Sequence, residues 1–211
     1  MRKTTVKIVA IVGSPRKKGN TSTLLAEVCK GTQEMGFETE MIYLSDYSFK
    51  DCIGCEGCTK TGKCVVKDDM QTIYEKINSS DALIIGSPTY FYNVSGLMKC
   101  FLDRLYSYEF FDEEDRSVWL SYNEVFGLKY AVTVAVCEQI ALTDMGVTSD
   151  MLSQTLTAVG WRSVANIKAL HAFKQGDVNN HTQLLKECHD AGVKLAKTVI
   201  LSNKIKKQRL L

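Results

Sequence analysis

The sequence predicts one α/β domain in which a five-stranded parallel sheet, ordered 2-1-3-4-5, carries helices on both faces. Three observations carry that expectation. Short apolar runs rich in β-branched residues alternate with segments of helical spacing along the 211 residues. Glycine follows the first and third apolar runs directly, as Gly13 and Gly86. The chemically unusual residues fall just after the first three strands, where a doubly wound sheet receives ligands at its switch point.

The elements follow in order. Val6 to Val12 is a continuous apolar run and reads as a buried parallel strand. Thr21 to Met35 places Leu24, Leu25, Val28 and Met35 on one helical face, with Gly36 as its stop. Glu38 to Leu44 alternates and reads as the second strand. A cysteine-rich loop occupies 50–66, and Asp68 to Ile77 is helical. Ala82 to Ile85 is the third strand, closed by Gly86-Ser87-Pro88, and Leu97, Phe101 and Leu105 line the next helix. Residues 106–126 form an insertion too long to lack secondary structure, with Phe110, Phe111 and Trp119 around the acidic run Asp112 to Asp115. Exposed aromatics beside charge suggest a subunit contact, in a homodimer or homotetramer; a flap on the chain's own core is the alternative. Tyr130 to Val136 is the fourth strand, a helix runs through Leu156, and Val164 to Leu170 is the fifth strand. Leu184, Cys188, Ala191, Leu195 and Val199 mark the last helix.

Composition narrows the class. Hydrophobic residues at 45% and charged residues at 24% are ordinary for a globular protein. A net charge of +2 is too small to call for nucleic acid, and the basic end (Lys204, Lys206, Lys207, Arg209) reads as a solvated, fraying tail. The N-terminal apolar run is about eight residues, too short to span a bilayer. No cleavage-like context follows it, so a cytoplasmic location without a membrane partner is expected.

GSPRKKGNTSTLL follows the first strand and opens the first helix. A helix N-terminus presents unpaired amides and the positive end of its dipole to an anion. Ser14, Asn20, Thr21 and Ser22 add hydroxyl and amide donors, Arg16 adds a charge, and Gly19 lets the backbone turn close to a ligand. No lysine follows Gly19, as a nucleoside-triphosphate loop would require, and GxGxxG is absent. A terminal monophosphate fits better than either. A polar helix cap that binds nothing is the bland alternative.

Cys52, Cys55, Cys58 and Cys64 form C-x2-C-x2-C-x5-C, with Gly54, Gly57 and Gly62 as turn residues. Structural zinc sites take two separated pairs, whereas four thiolates this close along the chain suit the larger [4Fe-4S] cube. Reduced thiols or a disulfide remain the metal-free alternative. Cys29, Cys100, Cys137 and Cys188 read as small buried hydrophobes.

The phosphate loop together with DALIIGSPTYFYNVSGLMKCFLDR, Asp81 to Arg104, resembles the NAD(P)H-dependent FMN reductase and iron–sulfur flavoprotein group of the flavodoxin-like superfamily. The resemblance covers about the first 105 residues. It implies a flavodoxin-like fold and an FMN whose ring lies against Pro88, Thr89, Tyr90, Phe91 and Asn93. It implies a [4Fe-4S] cluster on the four clustered cysteines, with a ferredoxin-type donor or NAD(P)H and a small-molecule acceptor. Relatives carry a glycine-rich turn after the fourth strand where this chain reads Ala135-Val136-Cys137-Glu138-Gln139, so no contact is assigned there.

Three functions are expected in order: an oxidoreductase passing electrons through a cluster to FMN, a cluster-free NAD(P)H-dependent flavin or quinone reductase, and a carrier or redox sensor. No catalytic side chain is assigned. His171, His181 and His189 come late in the chain, away from the expected flavin loops.

Overall fold

The computed structural model describes residues 7–209, so Val6, expected to open the first strand, lies outside the described residues. Five parallel strands form the sheet: β1 (Lys7–Val12), β2 (Glu38–Tyr43), β3 (Ala82–Tyr90), and, further along the chain, the strands at Lys129–Val136 and Trp161–Ala169. Between these, β4 (Asn93–Val94) folds back on β3, and β5 (Glu109–Phe111) pairs with β6 (Trp119–Ser121) as a separate hairpin. The last two sheet strands are therefore β7 and β8. The order β2-β1-β3-β7-β8 is the expected 2-1-3-4-5 pattern.

Strand periodicity of two sorts the core into two layers. From β1, Val9 and Ile11 join one cluster while Ile8, Ala10 and Val12 join the other. The first layer packs against α2 (Met70–Asn78), α3 (Gly96–Arg104) and α5 (Thr148–Ala158) through Ile73, Met98, Phe101 and Leu152. The second packs against α1 (Asn20–Glu34) and α6 (Thr182–Arg209) through Leu24, Val28, Cys188 and Leu195. The short α4 (Tyr122–Phe126) closes the hairpin insertion.

Helices α1 and α6 touch backbone to backbone. A Cβ on Gly31 would stand 2.1 Å from the His189 carbonyl oxygen, and one on Gly192 would stand 2.0 Å from that of Val28. Only hydrogen at these two positions permits the crossing.

Several boundaries differ from expectation. β3 continues past Gly86 to Tyr90, with Ser87 and Pro88 still registered on β7. Beyond Gly86 the β1 register has ended, so Pro88 lies where the strand has a large-sheet neighbour on one side, a position that tolerates proline. The basic C-terminal segment is not a frayed tail, because α6 carries the helix through it to Arg209. The 106–126 insertion holds the β5–β6 hairpin and α4, so it is structured as expected. Of the scattered cysteines, Cys29, Cys137 and Cys188 are buried, but Cys100 is only half-buried.

Candidate functional site

The loop between β1 and α1 is held by its own residues. The Ser14 hydroxyl accepts from the Arg16 amide (3.2 Å), and the Ser22 hydroxyl donates to the Arg16 carbonyl (3.1 Å). Gly19 takes the N-cap position and no side chain caps the helix. The first amides of α1 have no intrahelical acceptor, so they face the loop as donors for a ligand. The loop is also tied to β3 and to the start of α3: Gly13 N–H donates to the Gly86 carbonyl (2.8 Å), and Ser95 Oγ, at the N-cap of α3, donates to the Gly13 carbonyl (2.6 Å).

Asn20 has a role the sequence did not suggest. Its amide nitrogen donates to the carbonyls of Ala172 (3.1 Å) and Lys174 (2.9 Å), while its oxygen accepts from the Gly176 amide (3.0 Å). The side chain is thus occupied in pinning the loop after β8 against α1. That loop is pinned again by the segment after β7: Ala172 N–H donates to the Cys137 carbonyl (3.1 Å), and His171 N–H to that of Gln139 (2.9 Å).

One pocket results at the carboxyl end of the sheet. It gathers the expected Ser14, Arg16, Asn20, Thr21, Pro88, Thr89 and Tyr90. It does not gather Ser22, Phe91 or Asn93. Ser22 closes the loop internally, and the Asn93 side chain accepts from the following amide (2.8 Å). Val136, Glu138, Ala172, Phe173 and Gln175 line it as well, and sequence reasoning missed all five. His171 precedes two of them directly and is not itself among the lining residues.

The turn after β3 is strained. Tyr90 pairs with Asn93, leaving Phe91 and Tyr92 as the central residues of a tight hairpin at φ 47° and 63°. Positive φ at both positions is the type I′ pattern, which favours Asn-Gly. For bulky residues it costs about 1–3 kcal/mol each. The turn is braced from below: Val147 N–H donates to the Tyr92 carbonyl (2.8 Å), and Gly146, itself at φ 54°, leaves no room for a Cβ beside that oxygen. The aromatics are not core residues, since Phe91 is 97% and Tyr92 60% exposed.

The buried Thr89 hydroxyl has no hydrogen-bond partner. An orphaned buried hydroxyl costs about 1–3 kcal/mol unless a ligand answers it. With the uncapped helix end opposite, this donor set fits a phosphate joined to a polar-edged ring.

The cysteine loop is organised differently. Its two ends are clamped by Arg104, a buried guanidinium at the end of α3. Arg104 donates to the Lys50 carbonyl (2.8 Å) and bridges both Asp68 oxygens (2.7 and 3.1 Å). Burial pushes the Asp68 carboxyl up, but Arg104 and the Lys50 and Met70 amides outweigh it and leave its pKa lowered. Between these ends Cys52 and Cys55 are exposed, and Cys58 and Cys64 are half-buried. Burial raises the Cys58 thiol, with a further upward push from the charge of Cys64, Cys52 and Cys55. Among the described residues no three metal-ligating side chains are drawn together closely enough to hold an ion. The donor set therefore fits an iron–sulfur cluster in kind, four thiols on one loop, while the loop stands open.

A doubly wound sheet with an uncapped helix end and an orphaned hydroxyl at its switch point defines a flavodoxin-like protein. The model of the NADPH-dependent FMN reductase family matches residues 6–171, and the chain belongs to that family. An iron-sulfur flavoprotein of Archaeoglobus fulgidus is 46% identical over 99 residues, covering 47% of this chain and 48% of the relative. One from Methanocaldococcus jannaschii is 43% identical over 99 residues, covering 47% and 51%. The matches thus span about half the length of these curated relatives. Among solved structures, an NAD(P)H:quinone oxidoreductase from Methanothermobacter marburgensis superposes with a TM-score of 0.67 at 18% identity, over 90% of this chain and 97% of that one. An archaeal flavodoxin gives 0.58 at 15%, over 92% and 99%. These two likenesses speak for the fold.

Proposed function

We propose that this chain is an FMN-dependent oxidoreductase of the iron–sulfur flavoprotein type. The observation that carries the reading is the unanswered donor set at the switch point: the uncapped α1 terminus on one side and the orphaned Thr89 hydroxyl on the other. The α1 amides, Ser14, Thr21 and Arg16 hold the flavin's terminal phosphate. Pro88, Thr89 and Tyr90 border its ring, and Asn20 acts as a positioning residue by fixing the loop that carries Phe173 and Gln175. Bound FMN supplies chemistry in which one or two electrons are taken and released at the ring. Cys52, Cys55, Cys58 and Cys64 are the ligands of a [4Fe-4S] cluster, for which the names and identities of the relatives are the support. The donor is NAD(P)H or a ferredoxin-type protein, the acceptor a small molecule, and the assembly a homodimer or homotetramer. No described helix is long and apolar enough to cross a membrane.

One observation favours a second reading, a cluster-free NAD(P)H-dependent flavin or quinone reductase: among the described residues no three of the thiols stand close enough together to hold a single ion. An anaerobic absorbance spectrum with iron and acid-labile sulfide counted per FMN separates the two. About four irons and four sulfides per flavin support the cluster. A pure flavin spectrum that survives reconstitution attempts, with NAD(P)H oxidised by the flavin, leaves the reductase. Protein that takes up no FMN defeats both.

A further inference from the structure

The insertion does more than lie on the surface. It folds back over the cysteine loop at two places: Arg116 pairs with Glu56 (3.1 Å), and the Phe110 ring lies so close to Gly62 that a Cβ there would meet it at 2.7 Å. Between insertion, loop and α2 this leaves a cavity of about 520 Å³, within the range of small-molecule sites. It shares no lining residue with the switch-point pocket.

Its walls are aromatic. Tyr74 and Tyr108 form a buried T-shaped pair at 5.9 Å, Tyr108 meets Tyr122 edge-on at 5.4 Å, and Phe110 and Phe126 complete the wall. Both buried phenols already donate, Tyr74 to the Arg104 carbonyl (2.6 Å) and Tyr108 to Asn78 Oδ1 (2.7 Å), so they offer faces rather than protons. Cys64 sits on the same wall, its carbonyl held by the Gln71 amide (3.1 Å). The Lys63 ammonium and the Asn78 side-chain nitrogen, which have no acceptor among the described residues, line the same cavity, as does Glu75. Faces of rings call for a flat aromatic body. Two free donors call for carbonyl oxygens on its edge, and a lysine and a glutamate together favour an uncharged molecule.

We propose that this cavity is a second ligand site, for an uncharged fused-ring aromatic carbonyl compound held beside Cys64 and independent of the flavin pocket. The test uses the FMN-loaded protein under anaerobic conditions with coumarin as the probe, measured by calorimetry, and a diazirine-bearing coumarin for photo-crosslinking. One site per chain is expected, with crosslinks in the peptides around 61–78 and 107–126. Phe126→Ala, which removes an exposed wall ring, should weaken binding about tenfold. Lys63→Met should weaken it less, and Phe173→Ala, in the switch-point pocket, should leave it unchanged. FMN affinity should stay the same in Phe126→Ala and Lys63→Met, which shows that both variants fold. Absence of saturable binding overturns the proposal. So does displacement of coumarin by FMN, loss of binding in Phe173→Ala but not Phe126→Ala, or crosslinking confined to other peptides.

Discussion

Two loops leave the same end of one sheet and are built by opposite rules. In the loop after β1, Ser14, Asn20, Thr21 and Ser22 are all buried, and three of the four side chains make hydrogen bonds within the protein. The loop after β8 is bonded to it through Asn20, and the segment after β7 is bonded to that second loop. In the cysteine loop the buried clamp is at the ends, at Lys50 and Asp68, the insertion and Gln71 touch the loop at Glu56, Gly62 and Cys64, and the cysteine side chains are exposed or half-buried. A site laced from within is shaped before its ligand arrives. A site held at its ends by Arg104, and between them at Glu56, Gly62 and Cys64, leaves the thiols themselves unpaired, and whatever they bind then supplies their order.

The sharpest way to break the contrast is to remove the clamp. Arg104→Met leaves Asp68 without its buried partner and should cost about 3 kcal/mol in urea unfolding. Arg104→Lys should not restore it, since one ammonium cannot answer both Asp68 oxygens and the Lys50 carbonyl together. Second in size, Asn20→Ala should release the loop after β8 and weaken FMN binding about thirtyfold, near 2 kcal/mol. Flavin fluorescence titration checks it, and alkylation rates of the loop cysteines should not change.

Acid should separate the two loops next. The Asp68 pKa is lowered in the folded protein, so its contribution is full above the unfolded value and is lost as pH falls through the folded one. Hydrogen exchange measured downward from pH about 4 should show protection fading first across 48–70 and later across 13–22. The smallest effect is expected of Thr89→Val. Without FMN the protein should be unchanged or about 0.5 kcal/mol more stable, because an unanswered hydroxyl is gone. With FMN, affinity should fall about fivefold, the loss of one modest hydrogen bond.

These variants also mark what the sequence could reveal. The strand–helix alternation, the sheet order and most of the first pocket wall were legible, because periodicity and a donor-rich helix start are local signals. The true role of Asn20 was not: its partners are 152 to 156 residues away along the chain. Ala172, Phe173 and Gln175 carry no motif and are held at the pocket by that tie and by the bonds to Cys137 and Gln139. Arg104 drew no role from the sequence, since nothing nearby announces that Lys50 and Asp68 fold onto it. The Phe91–Tyr92 turn was hidden for another reason. Its aromatic pair is a poor local match for a type I′ turn, and the brace that holds it, Gly146 and Val147, comes from a distant loop.

The glycine crossing of α1 and α6 has a mechanical consequence. Gly31 lies eleven residues after Asn20, the first residue of α1, which is about 16 Å along the helix axis. The crossing is therefore a fulcrum and the pocket-facing end of α1 the tip of its arm. A tilt of about two degrees at Gly31 would carry that tip roughly 0.6 Å, comparable with the tolerance of a working site. The aim of the loop is thus set partly by two hydrogen atoms at the far end of the helix.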